Sequence, residues 1–223
     1  MSKIKPILFN TEMVKAILNG EKTMTRRIVR PQPPATTVVR HRADSWDWTF
    51  WADNDCGHPM RQPYKPGDIL WVRETWRKTG VLIQPYAYRA DEDRLHLVGE
   101  DGQRLSVMYR WRPSIHMPKE AARLFLRVTE IRAERLQDIT SNDCAKEGVE
   151  REAISAVGEE FARGIFSDIW DNTVKPTDAP CYGWKANPWV WVIEFERVGH
   201  TEQGGEADGA EGQNPKILLQ LPI

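Results

Sequence analysis

The stretch from residue 10 to residue 29 constrains the fold most, because it sets down a helix, a stop and a strand with almost nothing between them. Asn10 can cap a helix start, Glu12 suits the positive end of a first turn, and Met13, Val14, Ile17 and Leu18 share one face. Gly20 ends that helix, since a residue with no side chain enters the left-handed conformation used at helix stops. The segment NGEKTMTRR, residues 19–27, then places a lysine, two threonines and two arginines on the turn and on a strand over 23–29. Held on a bend, Lys22 and Thr25 can act together, whereas in a continuous strand they would face opposite sides. Such a pair suits a base and its nucleophile, or a grip on a phosphate.

Charge sharpens this. The net charge is −1, which argues against a general nucleic-acid coat. Between residues 22 and 43, however, Lys22, Arg26, Arg27, Arg30, Arg40 and Arg42 occur with no acid, a local positive field that suits a phosphate-bearing ligand. The acids Glu202, Glu206, Asp208 and Glu211 gather beyond residue 198, against Lys216 alone.

Pro6 to Phe9 reads as a strand, and the prolines at 31, 33 and 34 end the regular pattern after the basic strand. Residues 31–64, rich in Pro, Asp and Trp, read as an insertion, and 91–112, with Asp101-Gly102 at a hairpin turn, as a second. Lys65-Pro66-Gly67-Asp68 is a turn feeding a buried strand over 69–72. A long strand is expected over 123–131, with Leu124, Leu126 and Val128 on one face. Thr140 and Asp143 form a capping box for a helix ending at Gly148. A second helix, roughly 151–170, would bury Ile154, Val157, Phe161, Ile165 and Ile169, and a last strand covers 189–198. Residues 199–223 read as a disordered tail.

Strands and helices in this order do not alternate as a doubly wound sheet requires. The expectation is one α+β domain over 1–198, a compact mixed β-barrel with flanking helices and two insertions. No apolar run approaches the ~20 residues of a membrane span, and the start of the chain lacks signal-peptide features, so a cytoplasmic protein with no membrane partner is expected. Cys56, Cys144 and Cys181 form no CxxC pair and read as free thiols. Asp53, Asp55, Cys56 and His58 would supply metal ligands only if another pair joined them, and otherwise form a polar turn, so neither metal nor cofactor is expected. Among the ten tryptophans, Trp46 and Trp48 alternate with Asp47 and suit either base stacking or a local mini-core.

Three markers now line up: NGEKTMTRR, KPGDILWVRETW over 65–76, and NPWVWVIEFERV over 187–198. With WRPSIHMP, LQDIT and AKEG, they resemble the ASCH family of the PUA-like superfamily, in particular its larger members common in phage and prophage genomes. The resemblance covers roughly residues 4–198 and implies a PUA-like mixed β-barrel with a cleft near the first helix. Some members of the family are amidohydrolases that remove the acetyl group of N4-acetylcytidine with a lysine, a threonine and a glutamate, and others are thought to bind RNA. By that resemblance Lys22, Thr25 and Glu147 are the expected catalytic residues. Arg26, Glu74 and Trp76 are the expected substrate contacts, and the partner is a modified nucleoside or a nucleic acid. Arg27 reads as a surface charge or a salt-bridge partner. Glu74 is either a rival for the acid role or paired with Arg73 or Arg77. The alternative function is a non-catalytic RNA- or DNA-binding module using the basic run.

Overall fold

The computed structural model describes residues 2–33, 38–41, 48–51, 57–81, 84–94, 110–150 and 158–199. In chain order its strands are β1 Ile4–Leu8, β2 Met24–Ile28, β3 Val38–His41, β4 Trp48–Trp51, β5 Gly57–Met60, β6 Ile69–Arg73, β7 Trp76–Val81, β8 Gln84–Tyr88, β9 Phe125–Arg135 and β10 Trp189–Val198. The helices are α1 Thr11–Leu18, α2 Ser141–Lys146, α3 Glu159–Thr173 and α4 Ala179–Tyr182. This is a mixed α+β chain. The 199–223 tail, the 100–103 hairpin and Asp53, Asp55, Cys56 and Trp46 lie outside the described residues or at their edge.

The main sheet has five strands in the order β1-β6-β9-β10-β2. β1 runs parallel to β6, and the other neighbours pair antiparallel. β10 is apolar along nearly its whole length because both of its faces are covered. Trp189, Trp191, Ile193 and Phe195 join α1's Val14 and Ile17 and the inward residues of β6 and β9 in one core. Val190 and Val192 face the other way, against Cys144 and Val149 and the α3 residues Ala162, Phe166 and Trp170. The alternation expected for Leu124, Leu126 and Val128 is present, since all three are in the first core.

Within the expected first insertion, β3, β4 and β5 form a separate antiparallel sheet. Phe50 of β4 is fully buried and meets Trp189 edge-on, with ring centroids 5.3 Å apart. The segment therefore adds an aromatic anchor to the main core.

Among the described residues the expected barrel does not close. β1 and β2 are opposite edges of the sheet, and no backbone ladder joins them. The seam is crossed by a side chain, the Arg27 Nη2 of β2 donating to the Leu8 carbonyl of β1 at 2.6 Å. α1 connects the two edge strands, and its Val14 and Ile17 enter the first core.

The stripe expected for the second helix is also corrected. α3 starts at Glu159 after Gly158, and its buried residues are Ala162, Phe166 and Trp170, while Phe161 is 52% and Ile169 39% exposed. The helix carries two apolar stripes, and packing selects the one where small Ala162 allows close approach and two aromatic rings supply area. Ile154 and Val157 lie outside the described residues.

Both short helices end the same way. After α1, Gly20 at φ +80° donates to Ile17 O and Glu21 donates to Ala16 O. After α2, Gly148 at φ +99° donates to Ala145 O and Val149 donates to Cys144 O. Each is a Schellman stop, in which a left-handed residue lets two orphan carbonyls find donors. The two stops abut: a Cβ on Gly148 would lie 3.3 Å from Ala16 Cβ and 3.6 Å from Lys22 Cβ. Gly148→Ala should therefore lower stability by at least ~1–2 kcal/mol through backbone strain alone, with crowding added. Urea unfolding of the variant checks this, and an unchanged midpoint would remove the steric argument for glycine here.

Candidate active site at the sheet seam

A cleft of about 620 Å³ opens at the seam between the two edge strands. One wall comes from the end of β1 and the start of α1, with Leu8, Phe9 and Met13. The floor comes from Lys22, Thr25, Arg26 and Arg27, with Glu147 and Gly148 beside them. The far wall is the last two turns of α3, with Phe166, Ile169, Trp170, Asn172 and Thr173.

Lys22 and Glu147 meet across 125 residues of sequence because the two helix stops deliver them to one place. The Lys22 backbone N–H donates to Ala16 O at 3.1 Å, and the next N–H, that of Thr23, donates to Lys146 O at 2.9 Å, tying the bend to the end of α2. The Lys22 Nζ then reaches the Glu147 Oε2 at 2.5 Å and the Glu147 carbonyl at 2.8 Å. Their side chains are only 1% and 6% exposed. Burial pulls the Lys22 ammonium below its ordinary value; Glu147 opposes that, and the Arg27 and Arg26 charges reinforce it. Thr25, buried on β2, lines the same cleft.

Arg26 lines the cleft floor, but its side chain is wholly buried, so its guanidinium is not presented to solvent. Instead Nη1 donates to Glu147 Oε1 at 3.2 Å, while Nη2 donates to Glu134 Oε1 at 2.6 Å and Asp143 Oδ2 at 3.0 Å. Arg132 bonds Glu134 at 3.1 Å and Glu194 at 2.8 Å, and Lys146 bonds Glu194 at 3.1 Å. Four cations, Lys22, Arg26, Arg132 and Lys146, thus interleave with four enclosed or half-buried carboxylates, Glu134, Asp143, Glu147 and Glu194, while the exposed Glu130 lies 4.0 Å from Arg132 at the rim. This half-buried network balances its charge, which is what permits charges to leave water at all.

Arg27, expected as a surface charge or a salt-bridge partner, lines the cleft and stacks over Phe9 with its guanidinium carbon 5.2 Å from the ring centroid. It forms no ion pair among the described residues. Glu74 and Trp76 sit elsewhere. The Glu74 carboxylate, 1% exposed, receives two bonds from Arg123, at 2.9 and 3.0 Å, so its partner is neither Arg73 nor Arg77. Burial raises its proton affinity despite Arg123. Trp76 is buried in a third cluster, with Ile69, Met117 and Phe125, and meets Tyr86 edge-on at 5.7 Å. Neither residue lines the cleft, although Thr75 between them does.

The sequence left the network unread, though one signal was present. Glu130, Arg132 and Glu134 alternate along β9 and so share a face, a charged stripe on a strand with buried apolar neighbours. Asp143 was legible as a capping-box acid, and it fills that role while also receiving Arg26. The α3 wall of the cleft had no local signature.

Among the described residues no group of three or more His, Cys, Asp or Glu could hold a metal. The side chain of His58 lies outside them. No described helix is long and apolar enough to cross a membrane.

No protein-family model matches the chain, and no curated protein matches it. A structure search finds similarity to the ASCH domain of Lactobacillus crispatus JV V101, solved as a high-resolution crystal structure. The two share 9% identity over 87% of this chain and 79% of that one, with a TM-score of 0.36. That likeness is too distant to fix family or function, and the case for either falls to the residues at the seam.

The network also sets how stability should respond to acid. Burial raises the Glu194 carboxyl's proton affinity, but the bonds from Arg132 and Lys146 outweigh it and hold the group below its ordinary 4.5. A carboxyl depressed by folding stabilises the native state above its unfolded value and loses that contribution as pH falls through the native one. Urea midpoints of the wild type should therefore drop as pH falls below about 4.5, and Glu194→Gln should start lower at neutral pH and fall less steeply. Parallel slopes for the two proteins would show that Glu194 gains nothing from its partners.

Proposed function

We propose that the chain is an ASCH-type, PUA-like protein that recognises a nucleobase or nucleoside and hydrolyses an N-acyl amide on it, with N4-acylcytidines as the substrate type. The observation that carries this is the 2.5 Å contact of Lys22 with Glu147 on the floor of a cleft that Thr25 also lines. The cleft volume falls in the range of small-molecule sites, and Phe9, Met13, Phe166 and Trp170 give it apolar and aromatic walls suited to a base and an acyl chain.

In this scheme Thr25 Oγ1 adds to the acyl carbon while the neutral Lys22 amine takes its proton. The amide C–N bond then breaks as the exocyclic amine receives that proton, leaving an acyl ester on Thr25 that water hydrolyses. Glu147 holds the Lys22 amine in place and shares its proton. The electrostatic demand is that Lys22 be neutral part of the time, and burial works in that direction.

The alternative, nucleic-acid binding through the basic run, has fewer free cations than the sequence suggests. Lys22 and Arg26 are neutralised internally, and Arg27 is bonded to Leu8 and stacked on Phe9. Arg30 is exposed and lies 3.9 Å from Asp178. The side chains of Arg40 and Arg42 lie outside the described residues.

Incubation of the protein with N4-acetylcytidine and longer N4-acylcytidines should release the free nucleoside. Lys22→Ala should cut turnover by about a hundredfold or more, and Thr25→Val should remove it. The rate should rise with pH along a limb lying below the free-lysine range, because the neutral amine is the active form. No deacylation by wild type anywhere in the panel sinks the reaction, and salt-sensitive RNA binding in its place would favour the binding module.

A further inference from the structure

The unexpected feature of the site is an arginine on the cleft floor whose side chain is wholly buried and whose guanidinium is taken up by three carboxylates. We propose that Arg26 is a positioning residue, whose fork holds the Glu147 carboxylate from below and, through it, sets the place and the protonation of Lys22. This rests on the hydrolase function proposed above and adds a role for a side chain outside the reacting groups.

The geometry is specific. The Glu147 carboxylate is held at both oxygens, Oε2 by Lys22 at 2.5 Å and Oε1 by Arg26 at 3.2 Å. A carboxylate fixed at both ends cannot swing away when Lys22 changes charge. Arg26 is itself fixed, by Glu134 of β9 and Asp143 of α2, with Phe166 of α3 over its guanidinium at 5.8 Å. Three elements therefore converge on one wholly buried guanidinium of β2. A planar five-donor fork can serve three carboxylates at once, which an ammonium on a flexible stem cannot do with the same geometry.

The charge arrangement gives the position a second consequence. The ionisable groups around Glu147 and its network are Lys22, Arg26 and Arg27 from the bend and β2, Glu130, Arg132 and Glu134 from β9, Asp143, Cys144 and Lys146 from α2, Arg163 from α3 beside Cys144, Glu194 from β10, and Glu12 at the cleft wall. α3 contributes no charged side chain to that wall. With Arg26 present, the four cations and four carboxylates of the network balance. Without it, Glu134, Asp143 and Glu147 share one cation fewer, and Lys22 is the cation left on Glu147. An excess of negative charge favours the ammonium. Removing Arg26 should therefore make Lys22 harder to deprotonate; admitting water to the site would act in the same direction, and the charge-preserving Arg26→Lys separates the two.

Two variants separate positioning from substrate contact and from bulk structure. Arg26→Gln removes charge and fork; Arg26→Lys keeps the charge and loses the fork. Deacylation of N4-acetylcytidine by Arg26→Gln should show kcat reduced about tenfold or more with KM within about twofold, because misplacing a catalytic pair slows turnover without touching the ligand. The rising limb of its pH–rate profile should move up by about half a pH unit or more. Arg26→Lys should lose kcat to a similar degree with its limb close to that of the wild type, and it keeps the buried network neutral if Arg26→Gln fails to fold. A raised KM at unchanged kcat in either variant would make Arg26 a substrate ligand and overturn the proposal.

A readout independent of turnover is the titration of the Lys22 amine by NMR, using 15N-labelled lysine, with Lys22→Met identifying its resonance. The Lys22 titration should move upward in Arg26→Gln and stay near the wild-type position in Arg26→Lys. If the whole acylcytidine panel is inert, the hydrolase function fails while this titration still decides the coupling. An identical Lys22 titration in wild type and Arg26→Gln ends the proposal even where hydrolysis is observed.

Discussion

Everything at the candidate site depends on two helix stops brought end to end. α1 and α2 each finish on a glycine in the left-handed conformation, and the second glycine leaves just enough space for Ala16 and the Lys22 stem to pass. From that contact follow the Lys22 bond to the Glu147 carbonyl and the ion pair beside it. The Lys22 ammonium acts as a donor for a terminal carbonyl of α2, which would otherwise lack a partner. Structural capping and candidate chemistry are thus carried by the same side chain, so the bend is held rigidly where a loop lysine would be mobile.

The second constraint is charge neutrality in a half-buried space. A lysine and an arginine enclosed together would be prohibitive alone. Carboxylates from β9, α2 and β10 offset them, and because they come from three elements, the network also ties those elements to one another and to β2. The cation–carboxylate lattice and the apolar packing of Val190, Val192, Phe166 and Trp170 meet at Arg26, whose guanidinium lies against the Phe166 ring. The polar lattice and the aromatic wall flank the seam between the sheet edges, and there the cleft lies.

Local features were read well where the physics is local. The Asn10 cap accepts from the Met13 N–H at 2.8 Å, the Thr140–Asp143 capping box is formed, and the last strand spans the residues expected of it. Gly67 in the Lys-Pro-Gly-Asp turn sits at φ +86°, and Asp68 accepts from the N–H groups of Lys3 and Lys65. Where a choice depended on a distant surface, the sequence was ambiguous or misleading. Both stripes of α3 are apolar, and only the shape of the α2 face selects Ala162, Phe166 and Trp170. Arg26 and Arg27 are adjacent and chemically alike, and strand alternation says that they face apart without saying which one carboxylates enclose and which one stacks on Phe9. Glu74 took Arg123, 49 residues away, over its near neighbours.

The sequence by itself determined the helix caps, the glycine stops, the apolar strands and the motif that sets Lys22 and Thr25 three residues apart. Those depend on hydrogen bonds and conformational preferences within a few residues, which the chain carries wherever it goes. Tertiary structure alone decided that the sheet would stay open between β1 and β2, that a side chain would bridge the seam, and that four carboxylates would gather under the lysine. Those outcomes arise from burial and charge compensation between segments far apart in the chain, and their energies exist only once water has been excluded from the place where the segments meet.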